Sequence, residues 1–203
     1  MDGEAPAAIV LGIGNMLWAD EGFGVRAVEA LHERFEVAPD VVLLDGGTQG
    51  LLLLDHVCAA RRVLVFDAID YGLEPGTLRV LRDADVPAWA PAKVSLHQAS
   101  FQEVLALARL RGRTPAAITL IGVQPAVLAD FGGSLSPAVR ARLDQAVEIA
   151  VTELAAWGLP CPRRTAPPAE RLNADALALP AYESGRPAPD QACRIGDARF
   201  LHD

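Results

Sequence analysis

Three polar residues stand where apolar runs give way to loops: Glu21 beyond the run 9–13, Asp67 directly after the run 63–66, and His97 shortly before an amphipathic segment. Two carboxylates and an imidazole make a mixed oxygen and nitrogen donor set, suited to a borderline divalent ion and leaving positions open for water or for a partner's ligand. The same residues also have ordinary structural uses. A carboxylate such as Glu21 favours a helix N-terminus, an aspartate such as Asp67 caps a turn, and His97 can simply fill a loop. The pairs Asp20/Glu21 and Asp67/Asp70 offer acid and base roles, whereas no G-x-S-x-G elbow or H-E-x-x-H helix occurs. His32 and His56 fall inside helices and His202 in the C-terminal tail, where surface or packing roles fit them.

The elements that must position these residues follow from periodicity. The run 9–13 is a strand covered on both faces; Gly12 and Gly14 turn the chain, and Asp20 and Glu21 lie just before a helix carrying Phe23, Val28, Leu31 and Phe35 at helical spacing. A second strand, 41–44, leads into the glycine-rich loop Asp45-Gly46-Gly47-Thr48-Gln49-Gly50 and a helix over 51–60. The third strand, 63–66, ends in Asp67, and 77–81 alternates like an edge strand. Ser100 with Glu103 is a capping box, predicting a helix from about Phe101 and leaving His97 in the loop upstream. The run 118–123 is the last strand, and a long helix from Pro137 through Leu154 ends at Gly158. This alternation predicts an α/β fold: a three-layer α-β-α sandwich around a mostly parallel, twisted, about five-stranded sheet, with one edge strand antiparallel. In such sheets strand ends converge on one crevice.

Gly12-x-Gly14 with Asp45 resembles a dinucleotide fingerprint, but the third glycine is replaced by Leu17 and acids stand where a pyrophosphate must approach. At 203 residues and 51% hydrophobic, the chain suits one domain, 1–159, followed by a tail, 160–203, that holds seven of the fifteen prolines and is expected to be flexible or loosely docked. Only 169–179 there has helical character, and the tail is expected to be dispensable for the chemistry. Net charge −8 without a basic run argues against nucleic acid and membrane surfaces as partners. Cys58, Cys161 and Cys193 are widely spaced and form no metal or disulfide pattern, as in a cytoplasmic protein with reduced thiols.

The stretches Gly12-Ile13-Gly14-Asn15-Met16-Leu17, Asp20-Glu21-Gly22-Phe23-Gly24-Val25, Asp45-Gly46-Gly47-Thr48-Gln49-Gly50, Asp67-Ala68-Ile69-Asp70, Ser95-Leu96-His97-Gln98 and Gly122-Val123-Gln124-Pro125 occur in this order. Together they resemble the [NiFe]-hydrogenase maturation endopeptidases, over about residues 8–158. The resemblance implies a hydrolase that removes the C-terminal extension of a hydrogenase large-subunit precursor after nickel insertion, with Glu21, Asp67 and His97 as metal-contacting and catalytic positions. Members are often grouped with aspartic-type peptidases, although no active-site pair of that class is evident here. The tail length is similar to that of the uptake-hydrogenase branch.

The expected partner is therefore a nickel-loaded precursor and the expected cofactor is nickel presented by that substrate; other divalent ions, such as zinc or cadmium, fit the same donors. A monomer acting in the cytoplasm is expected. Asp45, Gly46, Gly47 and Thr48 are candidates for binding the substrate peptide, a plain tight turn being the alternative. Two rivals remain at this point: a self-sufficient zinc metallopeptidase at the same triad, and a nonenzymatic hydrogenase assembly chaperone.

Overall fold

The computed structural model describes residues 5–88 and 96–186, the side chains of 87–88 and 96–100 excepted. Five strands make one sheet: β1 Ala8–Ile13, β2 Val41–Gly47, β3 Arg62–Ala68, β4 Leu78–Arg82 and β5 Ala117–Val123, in the order β2-β1-β3-β5-β4. Neighbours are parallel except β4, which pairs antiparallel with β5 at one edge. The helices are α1 Phe23–Arg34, α2 Leu54–Ala59, α3 Asp85–Ala88, α4 Leu96–Leu110, α5 Pro137–Arg140, α6 Leu143–Ala156 and α7 Leu179–Gly185. Among the described residues no helix is long and apolar enough to cross a membrane.

The two-residue period of the strands divides the core into two layers. Val10, Leu64, Phe66, Ile121 and Val123 face α1 and α6 and pack with Phe23, Val28, Leu31, Val147 and Leu154. Ile9, Leu11, Val63, Val65, Ile118 and Leu120 face the opposite way, onto Leu54 and Val57 of α2 and Phe101, Val104 and Leu105 of α4. This is the doubly wound, three-layer architecture expected from the sequence. Chain order reverses between β1 and β3: β1 leads outward to β2, whereas β3 leads toward β5 and β4. The carboxyl ends of β1 and β3 therefore flank the topological switch point.

Several boundaries differ from expectation. β2 runs through Asp45, Gly46 and Gly47, because a register shift lets Ile13 pair with Gly47 after Gly12 has paired with Asp45. Helix α4 begins at Leu96, so the Ser100 capping box lies inside a helix and His97 is in its first turn rather than in a loop. The single long helix from Pro137 is two, α5 and α6. In the C-terminal segment the expected helical stretch 169–179 holds only a 3-10 turn, Asp175–Leu177, and the start of α7, which runs on from Leu179 beyond it.

Residues 160–186 lie across the polar face of α1. Arg164 Nε donates to the His32 carbonyl at 2.9 Å, Arg171 pairs with Glu33, and Asn173 Nδ2 donates to Glu29 Oε1 at 2.9 Å. The face is covered in part: Arg26 is buried and Glu29 and His32 are half-buried, while Glu33 and Arg34 stay exposed. Of the described cysteines, Cys58 and Cys161 are free, and burial pushes the Cys161 thiol up, away from the reactive thiolate.

Candidate active site

Glycines decide where Glu21 stands. Gly14 has a φ of 127°, and a Cβ there would lie 1.8 Å from the Glu21 carbonyl oxygen, so only glycine lets the 3-10 turn Ala19–Gly22 fold back onto the end of β1. A Cβ on Gly24 would meet the Ile13 and Phe66 carbonyls at 2.1 and 2.3 Å, and one on Gly12 would meet the Gly24 carbonyl at 2.4 Å. The paired glycines thus press the first turn of α1 against β1 and β3. This accounts for Gly12-x-Gly14 as strand–helix packing and leaves it no role as a phosphate cradle.

Asp20, next in sequence to Glu21, is fully buried and committed to structure. Its carboxylate accepts the amides of Ala126 and Val127, both at 2.8 Å, and the amide and hydroxyl of Ser136 at 2.6 and 2.9 Å. The network holds the loop after β5 against the turn and offsets the strained φ of 41° at Ala19. Asp20 is therefore not available as the acid or base partner of Glu21. Asp70 is similarly engaged: its Oδ1 accepts the Gly72 amide at 3.0 Å and Gln124 Nε2 at 3.1 Å. Buried Gln124 in turn accepts the amides of Tyr71 and Leu73 at 2.8 and 3.1 Å, fixing the loop beyond β3.

Asp67 shares strand parity with Val63 and Val65, which turns it toward the α4 layer. It is buried and lines a small cavity with Ile69, Val86, Phe101, Gln102, Leu105 and Leu120. Burial, outweighing a hydrogen bond from the Ala68 backbone, holds its carboxyl well above the usual carboxylate range, and the nearby charge of Glu21 raises it further. Glu21 and Asp67 thus lie at the two strand ends that flank the switch point, near enough for the charge of one to act on the other. His97 lies one turn ahead of Phe101 on α4, the helix that closes the Asp67 cavity; its side chain is outside the described residues.

Sequence reasoning missed Tyr71. A Cβ on Gly122, the residue paired with Asp67 across the ladder, would lie 2.0 Å from the Tyr71 hydroxyl. Burial, then the charge of Asp67, pushes that phenol up, while Arg79 stacks 5.9 Å from the ring centroid. The only sequence signal was Gly122, a strand glycine of the kind that marks a close approach.

Beside this crevice is a cleft of about 250 Å³, lined by Gly14, Asn15, Met16, Leu17, Val25, Asp45, Gly47, Thr48 and Leu177. Gly46 is not in its wall and lies buried against the Gly12 carbonyl. Burial raises the Asp45 carboxyl, against hydrogen bonds from Asn173 and the Gly47 amide and the charge of Arg26. An apolar rim flanks the turn that carries Glu21: Leu17, Trp18, Val127 and Phe131 are exposed, and the Trp18 and Phe131 rings meet edge to face at 5.5 Å.

A family model described as hydrogenase maturation protease matches residues 25–153. The chain belongs to this family. It is 55% identical over 196 residues to the hydrogenase expression/formation protein HoxM of Cupriavidus necator, covering 95% of this chain and 97% of that one. It is 54% identical to HupD of Thiocapsa roseopersicina, over 97% of this chain and 90% of that one. Among solved structures it is similar to the hydrogenase maturating endopeptidase HybD of E. coli, with a TM-score of 0.74 and 38% identity, covering 78% of this chain and 98% of HybD. This hydrogenase maturation protease is accordingly a hydrolase, an endopeptidase on a five-stranded scaffold. The nonenzymatic alternative falls with that assignment.

Proposed function

We propose that this protease removes the C-terminal extension of the large-subunit precursor of a [NiFe]-hydrogenase after nickel insertion, and that Glu21, Asp67 and His97 recognise the nickel as part of the substrate. One observation carries the reading: at a switch-point crevice Asp67 is buried and pushed toward its protonated form, and the charge of Glu21, on the turn after β1, reaches it and adds to that push. Such a pair costs stability unless a cation or a proton compensates it. The donor chemistry therefore fits a divalent ion, with the helix bearing His97 closing the same cavity.

The chain's own residues would act in two ways. A proton held by Asp67 would pass to solvent as the precursor's metal centre docks, which couples recognition to ionisation. Glu21, less buried, stays the more accessible carboxylate and can orient or deprotonate the attacking water. The exposed rim of Leu17, Trp18, Val127 and Phe131 suits a folded protein substrate, since such patches mark interaction surfaces. Selectivity then becomes a checkpoint: precursor without nickel lacks the charge that the carboxylate pair requires. Incubation of the purified protease with nickel-loaded and nickel-free precursor, followed by intact-mass measurement, tests this; cleavage of both forms at equal rates would refute it.

A further inference from the structure

The C-terminal segment lies outside the matched family region 25–153, and HybD is covered almost whole by 78% of this chain, whereas the match to HoxM takes in 95% of it. The fold nevertheless depends on it locally. Arg26, on α1, is only 4% exposed, and its Nη1 donates both to Glu29 Oε2 at 2.9 Å and to the Leu177 carbonyl. Its guanidinium also stacks 5.3 Å from the Tyr182 ring. A buried guanidinium needs such partners, because an uncompensated charge in the interior is costly.

From this anchor two residues reach the cleft beside the Glu21 turn. Asn173, which donates to Glu29, lies close enough to the Asp45 carboxyl to act on it, and Leu177 lines the cleft together with Asp45 and Thr48. The segment then continues to the loop that Asp20 pins: Tyr182 Oη donates to the Gly133 carbonyl at 3.2 Å, and Glu183 accepts from Ser134 Oγ at 2.7 Å and Arg140 Nη1 at 2.6 Å. It therefore spans from the Asp45 loop to the loop on the other side of the crevice.

We propose that residues 171–183 complete the substrate-peptide cleft, with Leu177 as an apolar specificity wall and Asn173 as the positioning residue that sets Asp45. The occupant is an extended segment of the precursor that places an apolar side chain against Leu177, Met16 and Leu17. The space, about 250 Å³, falls just below the range of about 300–1,000 Å³ usual for small-molecule pockets and has room for a peptide side chain. The cleft is continuous with the β1 turn that carries Glu21, so a chain lying in it leads to the carboxylate pair. This inference rests on the peptidase reading and deepens it: the segment beyond the matched family region selects which precursor is cut.

The test uses the full chain and two variants, Leu177→Trp, which fills the cleft, and Asn173→Ala, which releases Asp45. Each is assayed on purified nickel-loaded precursor and, separately, for calorimetric binding of a synthetic peptide corresponding to the precursor's C-terminal region. KM and the peptide Kd should rise about tenfold or more, with kcat within about twofold of wild type and the thermal midpoint shifted by only a few degrees. Folded variants with wild-type KM and Kd would overturn the proposal, as would a loss confined to kcat. A wild-type protein that cuts no nickel-loaded precursor would defeat the proposed function alone, and the peptide arm would still decide this inference.

Discussion

Glu21, on the turn after β1, stands near enough to Asp67, at the end of β3, that its charge adds to burial in holding the Asp67 carboxyl toward the protonated form. The coupling makes a prediction. Glu21→Gln removes the smaller contribution and keeps the larger one, so Asp67 should release its proton at a lower pH than in wild type while staying above an ordinary aspartate. Carbon-13 NMR of the aspartate carboxyls reads this directly, and an unshifted Asp67 titration would show the two groups to be independent.

Stability carries the same signature. The folded state binds the Asp67 proton more tightly than the unfolded chain, whose aspartates titrate near 3.8. The stabilisation from that proton is fully present below the unfolded value and is lost as pH rises through the folded one. In chelator-treated buffer, Asp67→Asn should therefore unfold at a higher temperature than wild type at neutral pH, with the difference shrinking toward pH 4. A variant less stable than wild type at neutral pH would contradict the assigned burial.

Asp20→Ala should be damaging for a different reason. It leaves the amides of Ala126, Val127 and Ser136 without their acceptor, at a cost of about 3 kcal/mol or more. Chemical denaturation should show this loss before any activity assay is run. If Asp20→Ala keeps wild-type stability but cannot cut, Asp20 belongs to the chemistry after all.

Gly24→Ala tests how the crevice is assembled. The added Cβ meets two backbone oxygens that cannot swing away, so α1 must shift, at about 1–3 kcal/mol. Precursor cleavage should fall more than stability, because the same shift moves Glu21 away from Asp67. Unchanged cleavage would mean that the exact seat of α1 does not matter.

Much of this was legible in the sequence, and the reasons are local. β1, β3 and β5 are apolar runs buried on both faces, so Asp67, near the end of β3, and Glu21, on the turn after β1, stand out as the acids that follow them. The end of β2 was hidden because Gly46 and Gly47 read as a loop, while the bulge opposite Ile13 keeps them in the sheet. A real capping pattern at Ser100 obscured the start of α4, four residues earlier at Leu96. Asp20 looked like half of an acid pair, since nothing in its neighbourhood announces Ser136, 116 residues away. The C-terminal segment was obscured most. Its proline content suggested a flexible or loosely docked tail without saying where it docks, and its partners Arg26, Glu29 and Glu33 form a helix face that, without the segment, has every mark of facing water.

The central claim is that Glu21, Asp67 and His97 read a metal held by the substrate, and His97→Ala tests it most directly. Alanine is the strongest helix former, so α4 should persist and the thermal midpoint should stay within a few degrees of wild type. The measurement is cleavage of nickel-loaded precursor by intact mass, with nickel-free precursor alongside. The account predicts that wild type cuts only the nickel-loaded form and that the folded variant cuts neither; a folded His97→Ala protein that processes nickel-loaded precursor at the wild-type rate would contradict it.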